Sequence, residues 1–168
     1  MQEEYHAPIN DFICIKLGKS VLANGSEVDG QTTMQIYERH LKGHASVWFS
    51  TDSLHTGMSK ERVSHYNELI NDGNDVRILF AYSDDKRNDI QYSARIKEVK
   101  SYEQPTIAPD LMLPDEYYGE HKRIWIKITD LQKEDKISAK SFIIDSTGRN
   151  LQEIMSTSQF HFGYVKLK

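Results

Sequence analysis

Few residues in this chain combine the type and the spacing that chemistry needs. His40 and His44 stand four apart, which would bring two imidazoles to one side of a helix, but Gly43 interrupts that helix and no third ligand follows at a metal-binding spacing. Cys14 lies inside the apolar run FICIKL with no base nearby in sequence, so it reads as a packed thiol and not a nucleophile. Asp84, Asp85 and Asp89 fall in the polar stretch SDDKRND and read as a solvated turn. The aromatic residues say more. Trp48 sits among Ser46, Ser50, Thr51 and Asp52, and Tyr117 and Tyr118 lie in a proline-marked segment. Each could be a core anchor or half-exposed cover. The alternative is a stacking pocket, in which each base-aromatic contact is worth roughly 1 to 3 kcal/mol, enough to offset much of the cost of extruding a nucleotide from a duplex.

A second pattern has a different chemistry. Pro109-Asp110 followed by Glu120-His121-Lys122 resembles the paired-carboxylate and lysine signature of Mg²⁺-dependent nucleases, in which the carboxylates hold metal and the lysine faces the scissile phosphate. Such carboxylates belong on neighbouring strands, whereas residues 109–122 read as one loop. There is no Gly-rich phosphate loop, nucleophile elbow or dinucleotide fingerprint, so no cofactor is expected and most enzyme classes with local signatures fall away.

The elements that must position these residues follow from periodicity. Residues 12–17 predict a strand ending at Gly18. Thr32 and Thr33 predict the cap of a helix reaching about residue 42, with Met34, Tyr37 and Leu41 on one face. Residues 45–51 predict a strand with Val47 and Phe49 on one side and Ser46, Trp48 and Ser50 on the other. Ser59 predicts a helix cap followed by Val63, Tyr66 and Ile70 at helical spacing and a stop at Asp72-Gly73. Residues 76–82 are apolar on both faces apart from Arg77, the pattern of a central strand. They form a hairpin with residues 92–100. Residues 103–121, with Pro105, Pro109 and Pro114, predict a long ordered loop. Strands at 123–131, 141–145 and 160–167 and a short helix at 150–156 complete an α+β domain on a curved or barrel-like mixed sheet flanked by short helices.

The order FICIKL, VWFST, an amphipathic helix, VRILFAYS, an ARI-containing strand and RIWIKITDL resembles the YTH and EVE branches of the PUA-like superfamily over roughly residues 12–131, and the closing SQFHFGYVKL is similar to EVE modules. The resemblance implies a PUA-like fold and an aromatic cage for a methylated base, with Trp48 as one wall and Tyr117 or Tyr118 near the position of the other aromatics. The usual loop tryptophans of YTH domains are absent. Similarity to the N-terminal specificity modules of modification-dependent GTPases of the McrB type implies recognition of modified DNA, in preference to RNA, by one module of a larger protein or a partner of a nuclease or GTPase effector. On this reading Ser46, Ser50, Thr51, Asp52 and Asn88 hydrogen-bond the base edge. Lys16, Arg95, Lys97, Lys122, Arg123 and Lys127 contact the backbone. The function implied is non-catalytic, with a ligand-sensing or adaptor domain of the same fold and the Mg²⁺-dependent nuclease as alternatives.

Length and composition agree with one domain over residues 1–168. A chain of 168 residues buries roughly 70% of its unfolded surface, so it needs no disulfide staple. One cysteine, no signal-peptide pattern at the N-terminus and no long apolar stretch lead to the expectation of a cytoplasmic protein that does not enter a membrane. The 25 Asp and Glu outnumber the 21 Lys and Arg, which excludes a broad electrostatic nucleic-acid clamp but leaves room for one pocket with a local basic rim.

Overall fold

The computed structural model describes residues 7–51, 57–157 and 160–168. The chain passes through β1 (Ala7–Leu17), the small strands β2 (Ser20–Val21) and β3 (Glu27–Val28), then α1 (Gly30–Leu41), β4 (Val47–Thr51) and α2 (Lys60–Asn71). It continues through β5 (Asn74–Tyr82), β6 (Ile90–Thr106), β7 (Lys122–Lys133), β8 (Phe142–Ile144), α3 (Leu151–Thr157) and β9 (Phe162–Leu167). Seven strands form one mixed sheet in the order β4-β7-β6-β5-β1-β9-β8, and β2 and β3 pair separately. Only β1 and β5 run parallel within the large sheet; its other pairings are antiparallel.

Alternation along the central strands divides the apolar residues between two clusters. Ile13 and Ile15 of β1 and Ile78 and Phe80 of β5 join α1, α2, β6 and β7 in the larger one. Cys14, Leu79 and Ala81 turn the other way, toward Leu151 and Met155 of α3 and Phe142 of β8. Both faces of β5 are therefore covered, as its apolar sequence predicts.

The expected barrel is not closed; β4 and β8 end the sheet among the described residues. The sheet nevertheless curls strongly. β4 and β5 are three strand spacings apart, about 14 Å on a flat sheet, yet the rings of Phe49 and Phe80 meet with centroids 5.1 Å apart. The free edge of β4 is covered, since the Trp48 amide donates to the Met112 carbonyl at 2.8 Å.

Two sequence expectations need correction. The cap of α1 is Asp29, not Thr32 or Thr33: its Oδ1 accepts the Thr32 amide at 2.8 Å, while the Thr33 hydroxyl donates to the Asp29 carbonyl at 2.9 Å. The supposed loop at 103–121 is shorter, because β6 continues to Thr106 and pairs there with Lys122. The ladder shifts register between Ser101 and Thr106, so Pro105 sits where its missing N–H breaks no regular pairing. A 3-10 turn at Asp115–Tyr117 lies within the otherwise irregular remainder. By contrast, Ser59 caps α2 as expected, its Oγ accepting the Arg62 amide at 3.1 Å. That helix is tied to β6 by Asn67, whose side chain both donates to the Val99 carbonyl and accepts the Val99 amide at 2.9 Å. No helix among the described residues is long and apolar enough to cross a membrane.

Candidate functional site: an aromatic cleft in the seam of the curled sheet

The curl brings β4 toward the C-terminal end of β1, and a cleft of about 270 Å³ lies between them. One side is the β1 end and the segment that follows it, from Ile15 to Val21. Thr33 and Tyr37 of α1, Phe49, Ser50 and Thr51 of β4, and Tyr117, Glu120 and Lys122 close the rest, with His161 at the rim. Gly30 lets the start of α1 come this close: a Cβ there would stand 2.8 Å from the Tyr82 ring and 3.0 Å from Leu17 Cβ.

The wall of the cleft is aromatic. Tyr37 and Tyr117 stack with centroids 5.3 Å apart and planes 13° from parallel, and Phe49 packs on Tyr37 at 5.4 Å. This spacing is direct ring-on-ring contact, so no gap wide enough for a flat group separates the two tyrosines. The Tyr117 hydroxyl is buried beside the Thr33 side chain. Burial pushes the Tyr117 phenol up to about 12, hydrogen bonding with Thr33 works against the rise, and the charges of Glu120 and Glu116 add to it. Burial also holds the Tyr37 phenol well above its usual value, helped by Tyr117 and Glu120, while hydrogen bonding with Ser50 works against the rise. Both phenols are neutral donors near neutral pH. At the β1 side, Lys16 directs its ammonium to the Met155 carbonyl at 3.0 Å and its amide to the His161 carbonyl at 3.0 Å, which joins the rim to the C-terminal part of the fold.

Of the residues singled out in the sequence, the structure brings Lys16, Ser50, Thr51, Tyr117 and Lys122 together in this cleft. Asp52 lies outside the described residues. Trp48 does not line the cleft. It is 1% exposed, its Nε1 donates to Asp110 Oδ1 at 3.1 Å, and the Lys127 ammonium lies 5.7 Å from its ring centroid. The pleat explains the exchange: Trp48 pairs with Lys127 on one face of the sheet, while Phe49 pairs with Ile126 on the other. Ser46 is buried outside the cleft. Tyr118 is 47% exposed and faces a separate hollow beside Arg39 and His44. Asn88 is a turn residue, left-handed at φ 55°, with its amide on Ser156 Oγ at 2.8 Å. Arg95, Lys97, Arg123 and Lys127 also lie away from the cleft; Arg95 faces Arg77 across the β5–β6 pair.

The alternative chemistries gain little. Asp110 Oδ1 holds the Trp48 indole and the Met112 amide, apart from the cleft where Glu120 and Lys122 stand. Asp85 is spent on the hairpin, accepting from the Arg87 and Asp89 amides and the Gln91 side chain. His40 and His44 stack at 4.0 Å, and no group of three or more metal-ligating side chains occurs among the described residues.

Tyr37 and Phe49 were missed as site residues, and Glu120 was singled out only as a metal-holding carboxylate. Tyr37 and Phe49 carried a visible signal, since both sit on apolar faces predicted to turn inward, but the sequence does not say that the inner face opens to a cleft. No protein-family model, curated protein or solved structure matches the chain.

Proposed function

We propose that the protein is a non-catalytic reader of a modified nucleobase, which it takes out of DNA and holds in the cleft between β1 and β4. The observation that carries this reading is the aromatic wall of Tyr37, Phe49 and Tyr117 beside the polar groups of Ser50, Thr51 and Glu120 in a single concavity. The volume of about 270 Å³ lies just below the roughly 300–1,000 Å³ of small-molecule sites, a size that suits one base better than a larger ligand. Lys19, Lys122 and His161, which line the same cleft, provide for flanking phosphates.

The energetics favour a selective but weak module. Burying one added methyl contributes only about 0.8 kcal/mol, so discrimination has to come from shape and from polar groups left unpaired by the wrong base. With a net charge of −4 the domain gains little from ordinary duplex, and an attached or partner nuclease or GTPase effector would supply both further affinity and any cleavage.

The test is fluorescence-anisotropy titration with duplexes carrying 5-methylcytosine, N6-methyladenine or no modification, at two salt concentrations. The reading expects tighter binding to a modified duplex, lost in Tyr117→Ala while the circular dichroism spectrum is kept. Equal binding to every duplex, with no salt dependence, would instead favour an adaptor or ligand-sensing domain.

A further inference from the structure

Beyond the end of β8 a second cavity, of about 480 Å³, lies against β9 and shares no lining residue with the cleft between β1 and β4. The β8–β9 ladder ends with Ile144 opposite Val165, and one further bond, from the Asp145 amide to the Tyr164 carbonyl at 2.9 Å, comes before the chain turns away. That turn is closed on itself. The Gly148 amide donates to the Ile144 carbonyl and the Ile144 amide to the Arg149 carbonyl, both at 2.8 Å, and Gly148 takes φ +72°, a left-handed conformation that glycine adopts freely. The turn thereby holds Ser146, Thr147 and Arg149 at the cavity beside Phe162 of β9.

The lining has two parts of different chemistry. Ile144, Ile154, Phe160, Phe162 and Tyr164 make an apolar part, in which the half-buried rings of Phe162 and Tyr164 meet edge to face with centroids 5.5 Å apart. The other part holds the Ser146 and Thr147 hydroxyls and two guanidiniums, those of Arg62 and Arg149; among the described residues no carboxylate lines the cavity. Arg62 is fixed at the end of the aromatic part, its guanidinium 4.1 Å from the Tyr164 ring centroid and donating to Asp145 Oδ2 at 3.0 Å.

We propose that this cavity is a second binding site, apart from the base cleft, and that it takes a small aromatic carboxylate with its ring on Phe162 and Tyr164 and its charge on Arg62 and Arg149. The volume falls within the roughly 300–1,000 Å³ of small-molecule sites, which are mostly apolar with a few polar groups that fix orientation. Both arginines have partners, but neither is used up. Asp145 is shared by Arg62 and Lys166, at 3.0 and 3.6 Å, and Arg149 reaches Glu153 at 3.5 Å in an exposed pair, a kind worth about 1 kcal/mol or less. Each guanidinium spends one nitrogen on its carboxylate, whereas a guanidinium carries five N–H donors and suits a second, planar carboxylate. A nucleotide suits the cavity less well, because the polar edge of its base would meet a mostly apolar wall.

The experiment is an amide NMR titration of the full chain, taken to millimolar concentrations of 2-naphthoate, of its uncharged analogue 2-naphthamide, and of adenosine monophosphate. 2-Naphthoate is expected to shift the amides of Ile144, Thr147, Gly163 and Tyr164, to leave Ser50 and Glu120 of the cleft unmoved, and to bind roughly tenfold more tightly than 2-naphthamide. Arg149→Gln removes an exposed charge and is expected to reduce that preference severalfold with the thermal midpoint unchanged, while Arg149→Lys retains part of it. Equal binding of acid and amide, a preference unchanged in Arg149→Gln, tighter binding of adenosine monophosphate than of 2-naphthoate, or no shift at these four amides would overturn the proposal.

Discussion

Tyr117 lies flat against Tyr37, with ring centroids 5.3 Å apart and planes 13° from parallel, so the 3-10 turn at Asp115–Tyr117 is fastened to α1 through the wall of the cleft. A second tie lies beside it, where the Arg39 guanidinium meets Glu116 at 2.6 Å. One short turn thus supplies a ring to the site and a salt link to the helix behind it.

Replacing that ring tests the fastening. Tyr117→Leu keeps apolar volume but loses the aromatic pair, and is expected to lower stability by about 0.5 to 1.5 kcal/mol, read from the midpoint of urea unfolding. Tyr117→Phe is the milder change. It keeps the ring pair and removes only a buried hydroxyl beside the Thr33 side chain, so stability should move by no more than about 1 kcal/mol and affinity for a modified oligonucleotide should be kept.

The Arg39–Glu116 tie should depend on pH in a defined sense. The hydrogen bond from Arg39 holds the Glu116 carboxyl below the usual carboxylate value. A depressed folded value stabilises the native state above the unfolded value, and that contribution disappears as pH falls through the folded one. Arg39 is largely exposed, so the contribution is about 0.2 to 1 kcal/mol at most. The difference in thermal midpoint between wild type and Glu116→Gln should be present at pH 7 and shrink progressively as the pH is lowered below the ordinary carboxylate value.

Gly30→Ala probes the approach of α1 to the end of β1. The added methyl meets the Tyr82 ring at 2.8 Å and the Leu17 carbonyl at 3.3 Å, so the helix start must shift away from the strand. Overpacking of this kind costs about 1 to 3 kcal/mol. Because both elements line the cleft, chemical denaturation and oligonucleotide affinity should weaken together.

Cys14 should be inert in the native state. It is fully buried, and burial pushes its thiol up to about 12. A colorimetric thiol reagent at pH 8 is expected to label none of it until denaturant is added, after which one thiol per chain reacts. Rapid native labelling would show that the β1 environment opens.

How much of this was legible beforehand divides along physical lines. Strong local patterns gave most of the main elements: the apolar run of residues 12–17 lies within β1, and the two-sided apolar run of β5 and the Ser59 cap appear where expected, whereas the start of β1 and the short strands β2 and β3 did not show. The α1 cap was misplaced by three or four residues because Thr32 and Thr33 compete with Asp29 in sequence, and only the hydrogen bond decides between them. At the site, alternation correctly put Trp48 and Phe49 on opposite faces of β4, but stacking chemistry favoured the tryptophan. Which face meets the cleft is set by the curl that brings β4 to β5 and β1, a relation among strands distant in sequence. Long-range geometry of that kind leaves no periodic trace.

The central claim is that the β1–β4 cleft is where the base binds. Backbone amide NMR of the labelled protein, titrated with an oligonucleotide carrying one modified base, tests it most directly. Amide shifts are expected to concentrate at Gly18, Ser50, Thr51, Tyr117 and Glu120, and to be absent with the unmodified control. Shifts gathered instead around Asn88, Arg95 and Lys97, or none at saturating oligonucleotide, would contradict it.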